Sequence, residues 1–79
     1  MSLQKEFQNI CHNIRWLRMH HGLSRSAMAR KLHITVKSLD LLESDIIPER
    51  IRIDFLFRTY QAFGVSQEKL IMTRLPEDI

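Results

Sequence analysis

Met28-Ala29-Arg30-Lys31-Leu32-His33-Ile34-Thr35-Val36-Lys37-Ser38-Leu39-Asp40-Leu41-Leu42-Glu43 reads as two short helices with a very tight connection. The first runs to about Leu32, the turn centres on His33, and the second starts after Thr35. Two helices joined this closely cannot lie antiparallel and bury much of each other. They cross steeply, and one is left standing on the surface. That arrangement is a helix-turn-helix, a unit whose protruding helix suits the DNA major groove.

Three helix starts are marked by the same local device. Leu23-Ser24 precedes Met28, Ile34-Thr35 precedes Leu39, and Val65-Ser66 precedes Leu70. In each, a hydroxyl at the N-cap accepts a bond from a free helix N–H. The apolar residue before it can reach the apolar residue at the fourth helical position, forming a hydrophobic staple. Helices are therefore expected after Ser24, after Thr35 and after Ser66.

Outward from these starts, Leu3, Phe7, Ile10, Ile14 and Leu17 form one stripe of an amphipathic helix from about residue 4 to His21. Gly22 stops it by taking a positive φ. Trp16 lies off the stripe, on the side of Asn9, Asn13 and His20, where it packs against a later helix or meets a second copy. Ser44 to Arg52 is a long loop carrying Ile46, Ile47, Arg50 and Arg52. A fourth helix is expected from about Ile53 to Phe63, with Ile53, Leu56, Phe57, Tyr60 and Phe63 as its core stripe and Gly64 as its stop. A fifth runs from Gln67 to about Thr73, offering Leu70 and Ile71, and Thr73 to Ile79 is expected to fray.

The bulk properties agree with a single all-α domain. The chain has 79 residues, 44% hydrophobic, enough for one core and too apolar for a disordered tail. Two glycines, two prolines and scattered β-branched residues argue for helices throughout. Cys11 is the only cysteine, so no internal disulfide forms, and a cytosolic setting is expected. No apolar run approaches the length of a membrane span. The net charge of +3 is compatible with a nucleic-acid partner but weighs little by itself.

Metal and catalytic chemistry find no footing. Cys11-His12 and His20-His21 are adjacent pairs, and neighbouring helix positions point ~100° apart, so neither pair chelates well. His12 and His20 read as solvated, and His21 as packed over the helix end. The serines sit at caps or on exposed faces with no base beside them. No cofactor, metal or small-molecule ligand is implied, and no enzymatic activity is expected.

The ordered set Asn13-Ile14-Arg15-Trp16-Leu17-Arg18, Gly22-Leu23-Ser24, Met28-Ala29-Arg30-Lys31-Leu32, Ile34-Thr35, Ser38-Leu39, Leu42-Glu43, Ala62-Phe63-Gly64-Val65-Ser66 and Leu70 resembles the Xre/Cro-C1-type helix-turn-helix domains of bacterial and phage regulators. The resemblance spans about residues 10 to 72. It implies a five-helix, lambda-repressor-like domain that binds double-stranded DNA as a transcriptional regulator. By the same resemblance Ser24 and Arg25 meet a phosphate, while Val36, Lys37, Ser38 and Leu41 face the bases. Arg50, or Arg52, makes a second phosphate contact, and Arg18 pairs with Glu43 in a structural role.

Four departures stand against the family pattern. His33 holds the turn position usually given to glycine, and Asp45 the usual glycine after the third helix. The loop before the fourth helix is two or three residues longer than usual. Val36 and Leu41 make the reading face apolar, and apolar groups read only thymine methyls. Arg30 and Lys31 read as a solvated face of the second helix. A homodimer on half-sites ~34 Å apart is expected for specific binding, with Ile46, Ile47 and Phe55 as candidate dimer contacts. The alternative reading is a protein-interaction or antitoxin-like module that offers Val36, Leu41 and the Ile46-Ile47 loop to a partner.

Overall fold

The local signals above set the helix boundaries found in the computed structural model, which describes residues 3–48 and 54–76. Five helices follow in order: α1 Gln4–His20, α2 Arg25–Leu32, α3 Val36–Glu43, α4 Phe55–Phe63 and α5 Gln67–Met72. No strand occurs among the described residues, and the domain is all-α.

Each predicted cap is made. Ser24 Oγ accepts from Ala27 N–H at 3.1 Å, Thr35 Oγ1 from Ser38 N–H at 3.0 Å, and Ser66 Oγ from Lys69 N–H at 3.1 Å. Leu23, Ile34 and Val65 pack half-buried against the core that holds Met28, Leu39 and Leu70. Each hydroxyl cap satisfies a helix N–H that would otherwise have no partner, worth roughly 1 kcal/mol.

The ends of α1, α2 and α3 share one geometry. Leu23 N–H reaches Arg18 O at 2.9 Å, Ile34 N–H reaches Ala29 O at 3.0 Å, and Ile46 N–H reaches Leu41 O at 2.8 Å. Each bond spans a residue in the left-handed region: Gly22 (φ 63°), His33 (φ 57°) and Asp45 (φ 63°). The termination motif thus survives where glycine is missing, at a cost of about 1–2 kcal/mol per side chain held left-handed.

α1 packs on α5 and α3, α2 packs on α3 and α4, and α4 packs on α5. The core they enclose contains Cys11, Ile14, Leu17, Met28, Leu32, Leu39, Leu42 and Leu70, all nearly or fully buried.

Two expectations are corrected. α4 buries Phe55, Leu56 and Thr59, while Phe57 and Tyr60 stand about half exposed. Its inward face is therefore rotated from the expected stripe. Thr59 can lie there because its hydroxyl donates to Phe55 O at 2.7 Å, which satisfies the polar group inside the core. Phe55 is 6% exposed and forms part of the core, so it is withdrawn as a surface dimer contact. Ile53 lies outside the described residues.

The segment after α5 is pinned to α1 as far as it is described. Asn13, fully buried, donates to Leu70 O and Thr73 O and accepts from Leu75 N–H, each at 2.8 Å. Asn9 donates to Ile71 O at 2.9 Å and accepts from Arg74 Nε–H at 3.0 Å. His12 Nε2 donates to Leu75 O at 2.7 Å, so His12 is a half-buried tether rather than a solvated side chain.

Candidate functional site

α3 is presented by its neighbours more than by its own length. Its start is fixed by Thr35, whose hydroxyl accepts from Ser38 N–H and donates to Ser38 Oγ, both at 3.0 Å. Its inward side is Leu39 and Leu42. Its end is clamped by Glu43, whose carboxylate takes Arg18 Nε–H at 2.7 Å and Nη2–H at 2.9 Å. Arg18 Nη1–H continues to Leu23 O at 3.2 Å, and Arg15 Nη1–H reaches Glu43 O at 3.0 Å. The Arg18–Glu43 pair expected from the resemblance therefore exists and is nearly buried, with side chains 16% and 6% exposed. Hydrogen bonding to Glu43 holds the Arg18 guanidinium above arginine's usual pKa, against the smaller effect of burial. The pair ties α1, the entry to α2 and the end of α3 into one unit.

The outward residues of α3 differ in part from those expected. Val36 and Lys37 are exposed, as a surface-facing helix start requires. Ser38 and Leu41 are half-buried, and the Ser38 hydroxyl is already bonded to Thr35. Asp40 completes the exposed set. Its carboxylate lies 3.2 Å from Arg25 Nε, an ion pair from α3 to the first residue of α2. The two helices meet only after folding, so nothing in the linear spacing of Arg25 and Asp40 signals the contact.

Ser24 and Arg25 stand exposed at the start of α2, beside free backbone N–H groups. Arg30 and Lys31 lie exposed in the last turn of α2. Arg15, Arg18, Arg25, Asp40 and Glu43 line one open cleft between α1 and the α2–α3 pair. Arg50 and Arg52 lie outside the described residues. Ile46 and Ile47 are 50% and 55% exposed, so the loop after α3 carries apolar surface as expected.

The aromatic groups off the α1 stripe form a chain around the end of that helix. Trp16 stacks on His20 at 4.4 Å between centroids, His20 meets His21 edge-on at 5.2 Å, and His21 tilts against Phe63 at 4.9 Å. Trp16 is half-buried against the core, while His21 stays exposed, its ring leaning on Phe63 rather than covering the helix end. Cys11 is buried in the core; burial pushes its thiol up to about 11, with Asp45 adding and Arg15 opposing. Among the described residues, no three His, Cys, Asp or Glu side chains are grouped to hold a metal ion. No described helix is long and apolar enough to cross a membrane.

Compared with known proteins, the chain matches no protein-family model, no curated protein and no solved structure.

Proposed function

We propose that this domain is a helix-turn-helix DNA-binding regulator of the Xre/Cro-C1, lambda-repressor-like type, with α3 entering the major groove. The observation that carries the reading is the way α3 is held. It is capped at its start by Thr35, clamped at its end by Arg18 and Glu43, and still presents Val36 and Lys37 to solvent. A three-residue connection, His33-Ile34-Thr35, joins it to α2. Rigid presentation of a short helix is what base reading needs, because a misplaced donor loses its hydrogen bond to a base edge.

In this reading Lys37 is the main hydrogen-bonding reader and Val36 contacts a thymine methyl. Ser38 and Leu41 contribute less, since both are half-buried. Ser24 and Arg25 meet a phosphate at the start of α2, where backbone N–H groups and a guanidinium converge. A homodimer would present two such helices to a two-fold site. Ile46 and Ile47 remain candidates for its contacts, and Phe57 and Tyr60 join them in place of Phe55.

Selection from a randomised duplex pool, followed by binding across a salt series, tests the proposal. Affinity should fall steeply with log salt, at a slope of ~0.9 per phosphate neutralised. Lys37→Ala should lose ~1–3 kcal/mol on the selected site and relax preference at one position. No duplex binding at low salt would refute the reading. It would leave the protein-interaction module, which the exposure of Val36, Ile46 and Ile47 favours.

A further inference from the structure

We propose that Asp40 restrains sequence-independent attraction between the α2–α3 face and DNA by neutralising Arg25. The inference rests on the DNA-binding reading and names a residue that sets the balance between specific and non-specific binding.

Asp40 shares the outward side of α3 with Lys37, three residues earlier, and Val36, four residues earlier. The other acid of α3, Glu43, is buried under Arg18, so Asp40 is the one exposed carboxylate of that helix. Its partner Arg25 opens α2, where a phosphate would be held. Both side chains remain more than half exposed, 58% for Arg25 and 53% for Asp40, so a polyanion docking on this face meets both charges.

Phosphate attraction depends on the cations a protein brings and the counterions it displaces. An arginine with a carboxylate at 3.2 Å brings no net charge to that position. An exposed pair of this kind also contributes little to stability, so folding gives little reason for an acid at this place. Its effect falls on binding. Phosphate contacts carry no sequence information, and weakening them lowers affinity for every duplex alike. The base readers Val36 and Lys37 are left untouched.

The opposite role for Asp40 is direct reading, its carboxylate accepting from the amino group of a cytosine. The two roles separate on one variant. In the restraining role, Asp40→Asn tightens binding to every duplex. In the reading role, it removes a preference at one base pair and tightens nothing.

The experiment measures binding of the wild type, Asp40→Asn and Glu68→Gln to a random-sequence duplex and to the selected site across a salt series. Glu68 is an exposed acid on α5, so its substitution makes the same change in net charge away from the α2–α3 face. Asp40→Asn is expected to tighten random-duplex binding and to steepen the log–log salt slope by about 0.9. Its advantage over wild type should then shrink about eightfold for each tenfold rise in salt. Glu68→Gln should give a clearly smaller change. An unchanged slope for Asp40→Asn, an equal gain for Glu68→Gln, or a lost preference at one base pair without tighter random binding would each overturn the restraint while leaving DNA binding intact. Duplex binding by none of the three proteins would remove the DNA reading and this inference with it.

Discussion

Replacing Glu43 by Ala should remove a large share of the domain's stability, and the size of the loss follows from the geometry. The carboxylate takes two N–H groups of Arg18, at 2.7 and 2.9 Å, and the two side chains are 6% and 16% exposed. Without it the guanidinium keeps only the 3.2 Å bond to Leu23 O and remains charged where little water reaches it. Breaking one side of such a pair costs about 3–5 kcal/mol, most of it the penalty of the stranded charge. A chain of 79 residues has roughly 4–12 kcal/mol to lose. The lower bound of 3 kcal/mol corresponds to a fall in Tm of roughly 12–24 °C for a domain of this size. Because Arg18 is held above arginine's usual pKa, its share of the pair's stability is fully present below that usual value and lost only as pH rises through the raised one. The Glu43→Ala deficit should therefore show no arginine titration between pH 6 and pH 10.

The assay is urea unfolding followed by far-ultraviolet circular dichroism, with the midpoint falling and the slope unchanged. A second variant separates the stranded charge from lost packing. Arg18→Met combined with Glu43→Leu removes both charges, and its stability should return close to wild type. A loss below 1 kcal/mol for Glu43→Ala would show that the pair behaves like an exposed one, and the clamp on α3 would have to be abandoned. A double variant no more stable than Glu43→Ala would show that the ion pair itself is required.

Asn13→Ala strips partners from Leu70 O, Thr73 O and Leu75 N–H together; a loss of at least ~2 kcal/mol is expected, with faster amide hydrogen exchange in α5, and unchanged exchange would refute the tether. The Cys11 thiol, raised from 9.0 to about 11, favours the folded state fully below pH 9, and that contribution is lost as pH rises through about 11. The loss is on the order of 2–3 kcal/mol, and Cys11→Ala should flatten that limb of the stability–pH curve measured by urea unfolding. His33→Gly relieves a left-handed side chain but frees the unfolded chain, for a net gain of about 0.5–1 kcal/mol in the urea midpoint; a loss would show that the imidazole makes a compensating contact.

The helix boundaries were legible because caps and stops are local chemistry. Ser24, Thr35 and Ser66 each act on an N–H three residues away, and Gly22 and Gly64 each act on their own φ. The sides of the helices were less legible where polar residues enter the core. Periodicity counts apolar side chains, so Thr59, Asn9 and Asn13 are invisible to it, although all three are buried and hydrogen-bonded. α4 shows the consequence. Phe55, Leu56, Phe57, Tyr60 and Phe63 surround most of a nine-residue helix, and without Thr59 the apolar pattern favours the wrong side. As far as Pro76, where the described residues end, the segment after α5 is tethered rather than frayed for the same reason, since Asn9, His12 and Asn13 supply its partners from more than fifty residues away. Of the candidate site, Arg18–Glu43 came only from a family resemblance, and Arg25–Asp40 came from neither pattern nor resemblance.

The proposed reading chemistry also bears on assembly. Specific DNA binding typically exceeds non-specific binding by ~4–10 kcal/mol, and one good base contact discriminates by ~1–3 kcal/mol. In the proposed reading α3 offers two exposed readers, Val36 and Lys37, with Ser38 engaged at the cap and Leu41 half-buried. Two readers supply roughly 2–6 kcal/mol, so a single α3 reaches only the bottom of that range. Adding cations would raise affinity without raising discrimination, and the acid beside Arg25 opposes that route. Doubling the readers on a two-fold site raises both. A thinly furnished α3 is therefore an argument for pairing, and it directs attention to the apolar surface that a monomer leaves uncovered: Ile46 and Ile47 after α3, and Phe57 and Tyr60 on the outer side of α4.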